Sequence, residues 1–165
     1  MRFISHRGNL FGKIFGENNP DSINEVILKG FDCEIDIWKI GSRLFLGHDK
    51  PEHYIFPYWL EDRIDTLLLH CKNLEALVYF YETNLHIPNN EWKFHYFYHQ
   101  NDNFTLTNLN YIVCFPGQPV TPYTIVMKPE LYTLNQIKDC YGICSDYISD
   151  FQFLLNPIAN KKVDQ

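Results

Sequence analysis

The chain has 165 residues, a formal net charge of −6, and hydrophobic residues at 45% of its positions. These values predict a single globular domain over residues 1–165, and they exclude both a disordered chain and a general binder of nucleic-acid backbone, which needs clustered lysine and arginine. No stretch reaches the ~18 apolar residues of a membrane span, and the start turns polar too early for a signal peptide, so we expect a cytoplasmic protein without a transmembrane segment.

Short apolar segments separated by turn signals predict strands that alternate with helices or loops. Strands are predicted at 3–5, 31–38, 43–46, 66–71, 94–99, 111–115, 124–127 and 142–145. The first helix is predicted to start near Pro20, with Asp21 or Ser22 as its cap, and to stop at Gly30. Further helices are predicted at 73–81 and 134–139, and the aromatic segment 54–59 is interpreted as a packed loop.

Strands that alternate with helical segments favour a parallel sheet that is buried on both faces. Polar residues lie at the ends of the predicted strands, namely His6, Asp36, His48, Lys72, His99 and Asp146. Parallel barrels carry their catalytic residues at the carboxyl ends of the strands. We therefore predict an α/β fold that is a compact or reduced TIM-like (β/α) barrel. Because a full barrel takes about 250 residues, several connecting helices are expected to be shortened or missing, above all between residues 100 and 124.

Glu34 and Asp36 are two residues apart on a predicted strand, so their side chains share one face while Cys33, Ile35 and Ile37 point to the other. Two carboxylates side by side in a barrel interior repel each other and need a cation or a shared proton. A hard divalent ion such as Mg²⁺ or Ca²⁺ meets that need with oxygen ligands. A strand with a solvated acidic face is the alternative.

His6 and His48 each end a predicted strand. Two imidazoles that titrate near neutral pH can take a proton from an attacking oxygen and give one to a leaving oxygen. Arg7 offers a planar guanidinium suited to phosphate, and Asp49 can orient an imidazole or cap a turn. Each histidine taken alone is also consistent with a purely structural role.

His70 and Lys72 repeat the two-residue spacing on another strand. Lys72 can neutralise a phosphate oxygen, or it can simply begin the next helix with its ammonium in water. His99 is expected to line the mouth of the site and Asp146 to lie near it, although each is equally suited to a hydrogen-bonding role in a loop. The five cysteines include no C-x-x-C pair, and we expect reduced, mostly buried thiols.

Five elements occur in a defined order along the first part of the chain. They are His6-Arg7-Gly8, Glu17-Asn18, Gly30 after the first helix, Glu34-Ile35-Asp36 and Gly47-His48-Asp49. This series resembles the N-terminal signature of the glycerophosphodiester phosphodiesterase family, with matching order and spacing over residues 1–50. A weaker resemblance continues through residues 69–72 and through residues 142–146, which are similar to the last strand of that family.

The resemblance implies a barrel enzyme that uses one divalent cation to cleave a small phosphodiester joining glycerol phosphate to an alcohol. It implies metal ligation by Glu34 and Asp36, acid–base catalysis by His6 and His48, phosphate contact by Arg7 and Lys72, and supporting roles for Glu17 and Asn18. His70 stands where the family has a third acidic ligand, and we include it in the predicted metal set. An imidazole there admits Mn²⁺ beside Mg²⁺ and Ca²⁺.

The predicted function is therefore a metal-dependent phosphodiesterase with two catalytic histidines. A second interpretation is a catalytically inactive relative that binds a phosphorylated ligand or a protein partner, motivated by His70 and by the short chain. A glycosidase is a third and weaker one, because its two carboxylates flank the bond about 5–9 Å apart, whereas Glu34 and Asp36 lie side by side.

Overall fold

The computed structural model of the chain describes residues 1–87 and 93–155. The strands are β1 (Arg2–His6), β2 (Asp32–Ile40), β3 (Arg43–Leu46), β4 (His53–Ile55), β5 (Leu67–Cys71), β6 (His95–Tyr98), β7 (Phe104–Leu106), β8 (Ile112–Cys114), β9 (Thr124–Met127) and β10 (Gly142–Ser145). The helices are α1 (Pro20–Leu28), α2 (Pro57–Glu61), α3 (Leu74–His86), α4 (Leu134–Ile137) and α5 (Ile148–Leu155), with one short 3-10 turn at Pro129–Leu131.

All ten strands belong to one mixed, strongly curled sheet. Seven of them run parallel in the order β6-β5-β2-β1-β10-β9-β8. The hairpin of β3 and β4 extends from the end of β2, and β7 lies antiparallel to β8. The predicted α/β class is therefore confirmed.

The sheet is not a closed TIM barrel, and this corrects the predicted fold. Within residues 1–87 and 93–155, no strand pairing joins β6 to β8. The short connection between these strands forms β7, which pairs back onto β8 as an antiparallel hairpin. Two neighbouring parallel strands need a crossover connection of a dozen or more residues, usually with a helix. Here the segment between β6 and β8 forms β7 and the turn into β8 instead.

The curled sheet separates two apolar layers. On the outer face, Cys33, Ile35 and Ile37 of β2 pack with α1, α3 and α5 in the main core. On the inner face, a smaller cluster fills the curl, and its buried members are Ile4, Leu68, Phe97, Val113, Ile125, Met127 and Cys144. The predicted alternation along β2 is confirmed, because its other side chains, Glu34 and Asp36, are the buried acidic pair on the opposite face.

Local signals position the first helix behind the sheet. Asn19, and not Asp21 or Ser22, caps α1, since its side chain accepts hydrogen bonds from the backbone N–H groups of both those residues. Pro20 occupies the first turn, where its missing N–H costs nothing. Gly30 follows the helix at φ +85°, a left-handed conformation that glycine adopts without strain.

The structure differs from prediction mainly in the weakly patterned segments. The segment 54–59 is not a packed loop, because it contributes to β4 and α2. Strand β7 and helix α5 were not predicted. The expectation for the cysteines is confirmed, since all five are buried and free, and burial raises the pKa of Cys71 to about 12. Of the helices that the structure describes, none is both long and apolar enough to cross a membrane.

Candidate functional site

A cavity of about 700 Å³ opens at the carboxyl ends of the parallel strands. The predicted residues that line it are His6, Arg7, Glu17, Glu34, His48, His70, Lys72, His99 and Asp146. Its opposite wall is apolar and includes Phe97, Phe115 and Met127. The structure therefore brings together side chains that are up to 140 residues apart in the sequence.

Glu34 and His70 line this cavity, and Asp36 is fully buried beside them. Strands β2 and β5 pair in parallel with Asp36 opposite His70, which places the three side chains on one face. Their potential ligand atoms all lie within 4.8 Å of one another. Nδ1 of His70 is 2.8 Å from Oδ1 of Asp36 and 3.7 Å from Oε1 of Glu34. Both carboxylates are fully buried, and 12% of the His70 side chain is exposed.

The donor set suits a divalent cation. Oε2 of Glu34 is buried and has no hydrogen-bond partner within the described part of the chain, whereas the oxygens of Asp36 are in close contact with Arg7, His70 and Lys72. Buried polar oxygens are normally hydrogen-bonded, so the unpartnered Oε2 of Glu34, beside Asp36 and His70, is a candidate position for a ligand that accepts its lone pair. Two carboxylates and one imidazole are ligands that hard and borderline divalent ions accept.

The two carboxylates differ in how closely positive side chains approach them. Nε of Arg7 is 2.6 Å from Oδ2 of Asp36, and Nζ of Lys72 is 3.3 Å from Oδ1. Burial favours the neutral form of Asp36, but its contact with His70 and the charges of Arg7 and Lys72 outweigh burial and hold its pKa well below the usual range. Burial raises the pKa of Glu34, and the charge of Asp36 raises it further. Glu34 is thus the carboxylate whose charge is poorly compensated.

His6 is held by a carboxylate on the last parallel strand. Its Nδ1 is hydrogen-bonded to Oδ1 of Asp146 at 2.7 Å, and its Nε2 lies 3.9 Å from Oε2 of Glu34. A carboxylate only accepts hydrogen bonds, so Nδ1 carries the proton and Nε2 is the atom that faces the site. Burial lowers the pKa of His6, but the bond to Asp146 and the charge of Glu34 outweigh burial and raise it overall.

Hydrogen bonds of Asn9, Glu17 and Asn18 fix the loop after β1. The side chain of Asn18 donates to the carbonyl of Asp36 at 2.9 Å and accepts from its N–H at 3.2 Å. Glu17 accepts from Arg7 at 3.0 Å. Asn9, which was not predicted, donates to Glu17 at 2.8 Å and to Asp146 at 2.7 Å. The only signal for Asn9 in the sequence is its position directly after His6-Arg7-Gly8.

Arg7 is more engaged than the prediction assumed. Its guanidinium contacts both Asp36 and Glu17, so its place in the structure is between two carboxylates rather than facing open solvent. Its backbone is left-handed at φ +57°, and its N–H donates to the carbonyl of Glu34 at 2.9 Å. This strained turn at a residue that is not glycine is a common feature of functional sites.

His48 lies on the loop after β3 and is the most accessible of the predicted catalytic groups, with 42% of its side chain exposed. Its Nδ1 is 2.7 Å from Oδ1 of Asp49, which is itself exposed. Burial and then the charge of Arg7 lower the pKa of His48. The turn requires Gly47, because a Cβ there would lie 2.0 Å from the carbonyl oxygen of Lys50.

His70 and His99 connect the metal-ligand cluster to the aromatic wall. Nε2 of His70 is 3.2 Å from the backbone carbonyl of His99 and its ring stacks on Phe97 at 4.7 Å. The ring of His99 stacks on Phe115 at 3.6 Å between centroids. Burial and then the charge of His70 lower the pKa of His99. His99 therefore lines the cavity, as predicted, mainly with an aromatic face.

Comparisons with protein-family models, with curated proteins and with solved structures found no match, so they assign no family to the chain.

Proposed function

We propose that this chain is a metal-dependent phosphodiesterase that hydrolyses a glycerophosphodiester or a similar small phosphodiester. One observation carries the proposal. The buried carboxylate of Glu34, which has an oxygen without a hydrogen-bond partner in the described part of the chain and lies beside buried Asp36, shares a single cavity with two imidazoles, His6 and His48, and with the ammonium of Lys72. Phosphodiester cleavage requires charge neutralisation at phosphate and proton transfer at both the entering and the leaving oxygen, and this cavity holds groups for each task.

The strand order supports the same proposal. Around the curled sheet, the spatial order of the parallel strands is the same as their order in the sequence: β1, β2, β5 and β6 on one side, and β8, β9 and β10 leading back to β1 on the other. This is the succession of a (β/α) barrel, and the cavity lies at the strand ends where such barrels carry chemistry. We propose that the sheet is a reduced relative of that barrel.

Glu34, Asp36 and His70 would hold one divalent cation, which we propose to be Mg²⁺ or Ca²⁺, with Mn²⁺ admitted by the imidazole. When bound, such an ion supplies positive charge that polarises a phosphoryl oxygen. Lys72, at 17% side-chain exposure, adds a fixed positive charge at the same edge of the cavity. The paired guanidinium of Arg7 holds Asp36 in place and contributes to the positive potential that a phosphate meets.

The two histidines divide the proton transfers. Asp146 fixes the ring of His6 with Nε2 towards the cavity, so that this nitrogen can give or take a proton. His48 stands on a separate loop that borders the same cavity and can act on the other oxygen of the scissile bond. Each such transfer contributes about 10²–10⁴ in rate.

A second candidate function is phosphate binding without turnover. It is favoured by the contacts of Asp36, which already meets Arg7, Lys72 and His70 within 3.3 Å. The two cationic side chains, Arg7 and Lys72, reduce the negative charge that Asp36 offers to a metal. In this case a phosphorylated ligand binds and stabilises the fold but is not cleaved.

The test is hydrolysis of glycerophosphocholine and of a chromogenic phosphodiester by metal-stripped protein, with Mg²⁺, Ca²⁺, Mn²⁺ or no ion added. We expect metal-dependent turnover that is lost in Glu34→Ala, His6→Ala and His48→Ala. His86→Ala is the matched control, because His86 is an exposed histidine at the end of α3, and this variant should keep full activity. Full activity in folded His6→Ala and His48→Ala would overturn the assigned roles. Stabilisation by glycerophosphate with no turnover under any ion would favour the second candidate.

A further inference from the structure

The loop between β1 and α1 exposes three large apolar side chains within five residues. Phe11 is 73% exposed, Phe15 is fully exposed, and Ile14 between them is also exposed. Scattered single apolar residues are normal on a protein surface, but a cluster of this kind marks an interaction site. The residues belong to one short loop, and that loop also supplies Glu17 and Asn18 to the candidate site.

The loop is fixed in place by hydrogen bonds. The N–H of Gly12 donates to the carbonyl of Asp146 at 2.8 Å, and the N–H of Ile14 donates to the side chain of Asn9 at 3.1 Å. Gly12 has φ +122°, and a Cβ there would come within 3.2 Å of the ring of Tyr147. Tyr147 is half-exposed beside it. The polar side of the loop therefore builds the cavity, while its apolar side chains project outward at the rim.

Lys13 lies in the middle of this apolar group. Its side chain borders the cavity and contacts Glu17 at 3.1 Å. Aromatic and aliphatic side chains that flank a lysine are the composition of a segment that lies at the boundary of lipid headgroups and acyl chains. The chain as a whole carries a net charge of −6, so an anionic lipid surface would repel it. A zwitterionic lipid surface would not.

We propose that residues 11–15 dock on the surface of a zwitterionic phospholipid bilayer and set the mouth of the cavity against lipid headgroups. The full exposure of Phe15 supports this occupant, because exposed aromatic side chains next to a lysine can enter the boundary between lipid headgroups and acyl chains. A second, apolar groove is lined by residues of α3, β6 and β7, and its lining includes none of residues 11–15 and no charged group of the candidate site. The proposal does not depend on catalysis.

The test is co-sedimentation of the full chain with phosphatidylcholine vesicles in the presence of a chelator, so that turnover plays no part. We expect the wild type to bind and Phe11→Ser/Phe15→Ser to lose about tenfold or more in its partition coefficient. Leu28→Ser/Leu85→Ser is the matched control, because both leucines are more than half exposed near the ends of α1 and α3, away from the cavity mouth. The control should bind as the wild type does.

A second readout keeps the test independent of folding losses in the double variant. Phe15→Trp should shift its fluorescence to shorter wavelength on adding vesicles, as an indole does when it leaves water. Absence of wild-type binding, equal losses in the control, or binding that appears only with phosphatidylserine would overturn the proposal. So would a wild-type dimer, formed without lipid, that Phe11→Ser/Phe15→Ser dissociates. Failure of the hydrolysis assay leaves the vesicle result unaffected.

Discussion

Replacing Glu34 by glutamine separates the cost of the buried acidic pair from the benefit of the ion it would hold. Burial and the neighbouring charge of Asp36 raise the pKa of Glu34, so ionisation of this carboxyl group is unfavourable in the metal-free protein. Glutamine keeps the shape, removes the charge and offers an N–H donor to the oxygens of Asp36. We expect Glu34→Gln to increase the free energy of unfolding of the metal-free protein.

The magnitude follows from the unpaired oxygen. A buried acceptor without a partner costs about 1–3 kcal/mol, so a gain of about 1–2 kcal/mol is expected, or roughly 2–8 °C in Tm for a chain of this size. The wild type gains about 2.7 kcal/mol from an ion present at 100 times its Kd, and the variant loses most of that gain. The order of stability therefore reverses when the metal is added.

The pH dependence has a defined sign. The folded-state pKa of Glu34 lies above its ordinary value of 4.5. At pH values between the ordinary pKa and the folded-state pKa, the folded protein therefore binds more protons than the unfolded chain. The stability of the metal-free wild type therefore falls as the pH rises through this window, while the variant lacks that contribution. The difference between them should disappear at low pH.

Differential scanning calorimetry of chelated protein, with Mg²⁺, Ca²⁺ or Mn²⁺ added back, measures both effects. Glu25→Gln is the control, because Glu25 is an exposed partner of Lys29 on α1 and its loss should change stability by no more than about 0.5 kcal/mol. A Glu34→Gln protein that is less stable than the wild type without metal would refute the electrostatic reasoning. A variant that keeps the full metal-induced rise would refute the ligand assignment.

Two further predictions concern histidines. Asp146→Asn should lower the hydrolysis rate by about 10²-fold and move the pH profile to lower pH, because Asp146 orients His6 and raises its pKa; an unchanged profile would contradict this positioning role. Burial lowers the pKa of His95 from 6.5 to about 4, so the unfolded chain binds its proton first and stability falls with pH below about 6.5. Urea unfolding should show the wild type losing about 2 kcal/mol more than His95→Phe between pH 7 and pH 5, and parallel losses in the two proteins would contradict it.

The parts of the site that follow from strand periodicity were predictable. Side chains two apart on a strand share a face, and this rule alone placed Glu34 with Asp36 and kept Ile35 in the outer core. Polar residues at the ends of successive parallel strands were expected to meet, and His6 and Asp146 do meet, although 140 residues separate them. Local pattern determined these features because each depends on backbone geometry that repeats along the chain.

The remaining features depend on long-range partners that no local pattern specifies. The hydrogen bonds from Asn9 to Asp146 and from Asn18 to the backbone of Asp36 depend on how two distant strands meet. The lack of pairing between β6 and β8 in the described residues was also not predicted. Strand β7, which lies between them in the sequence, is three residues long with two exposed side chains, so it has too few positions to show a strand period. Arg7 was expected to face phosphate, whereas the carboxylates of Asp36 and Glu17 engage it.

The uneven compensation of the two carboxylates locates the unmet charge. Asp36 has the cationic nitrogens of Arg7 and Lys72 at 2.6 and 3.3 Å and an imidazole nitrogen of His70 at 2.8 Å, whereas the contacts of Glu34 are with imidazole nitrogens at 3.7 and 3.9 Å. A buried carboxylate that lacks a close cation destabilises the fold, and an apolar or amide side chain of similar volume would not. Retaining a glutamate there costs stability unless something positive occupies the space beside it. That space lies beside the imidazoles of His6 and His70, which line the same cavity as Glu34.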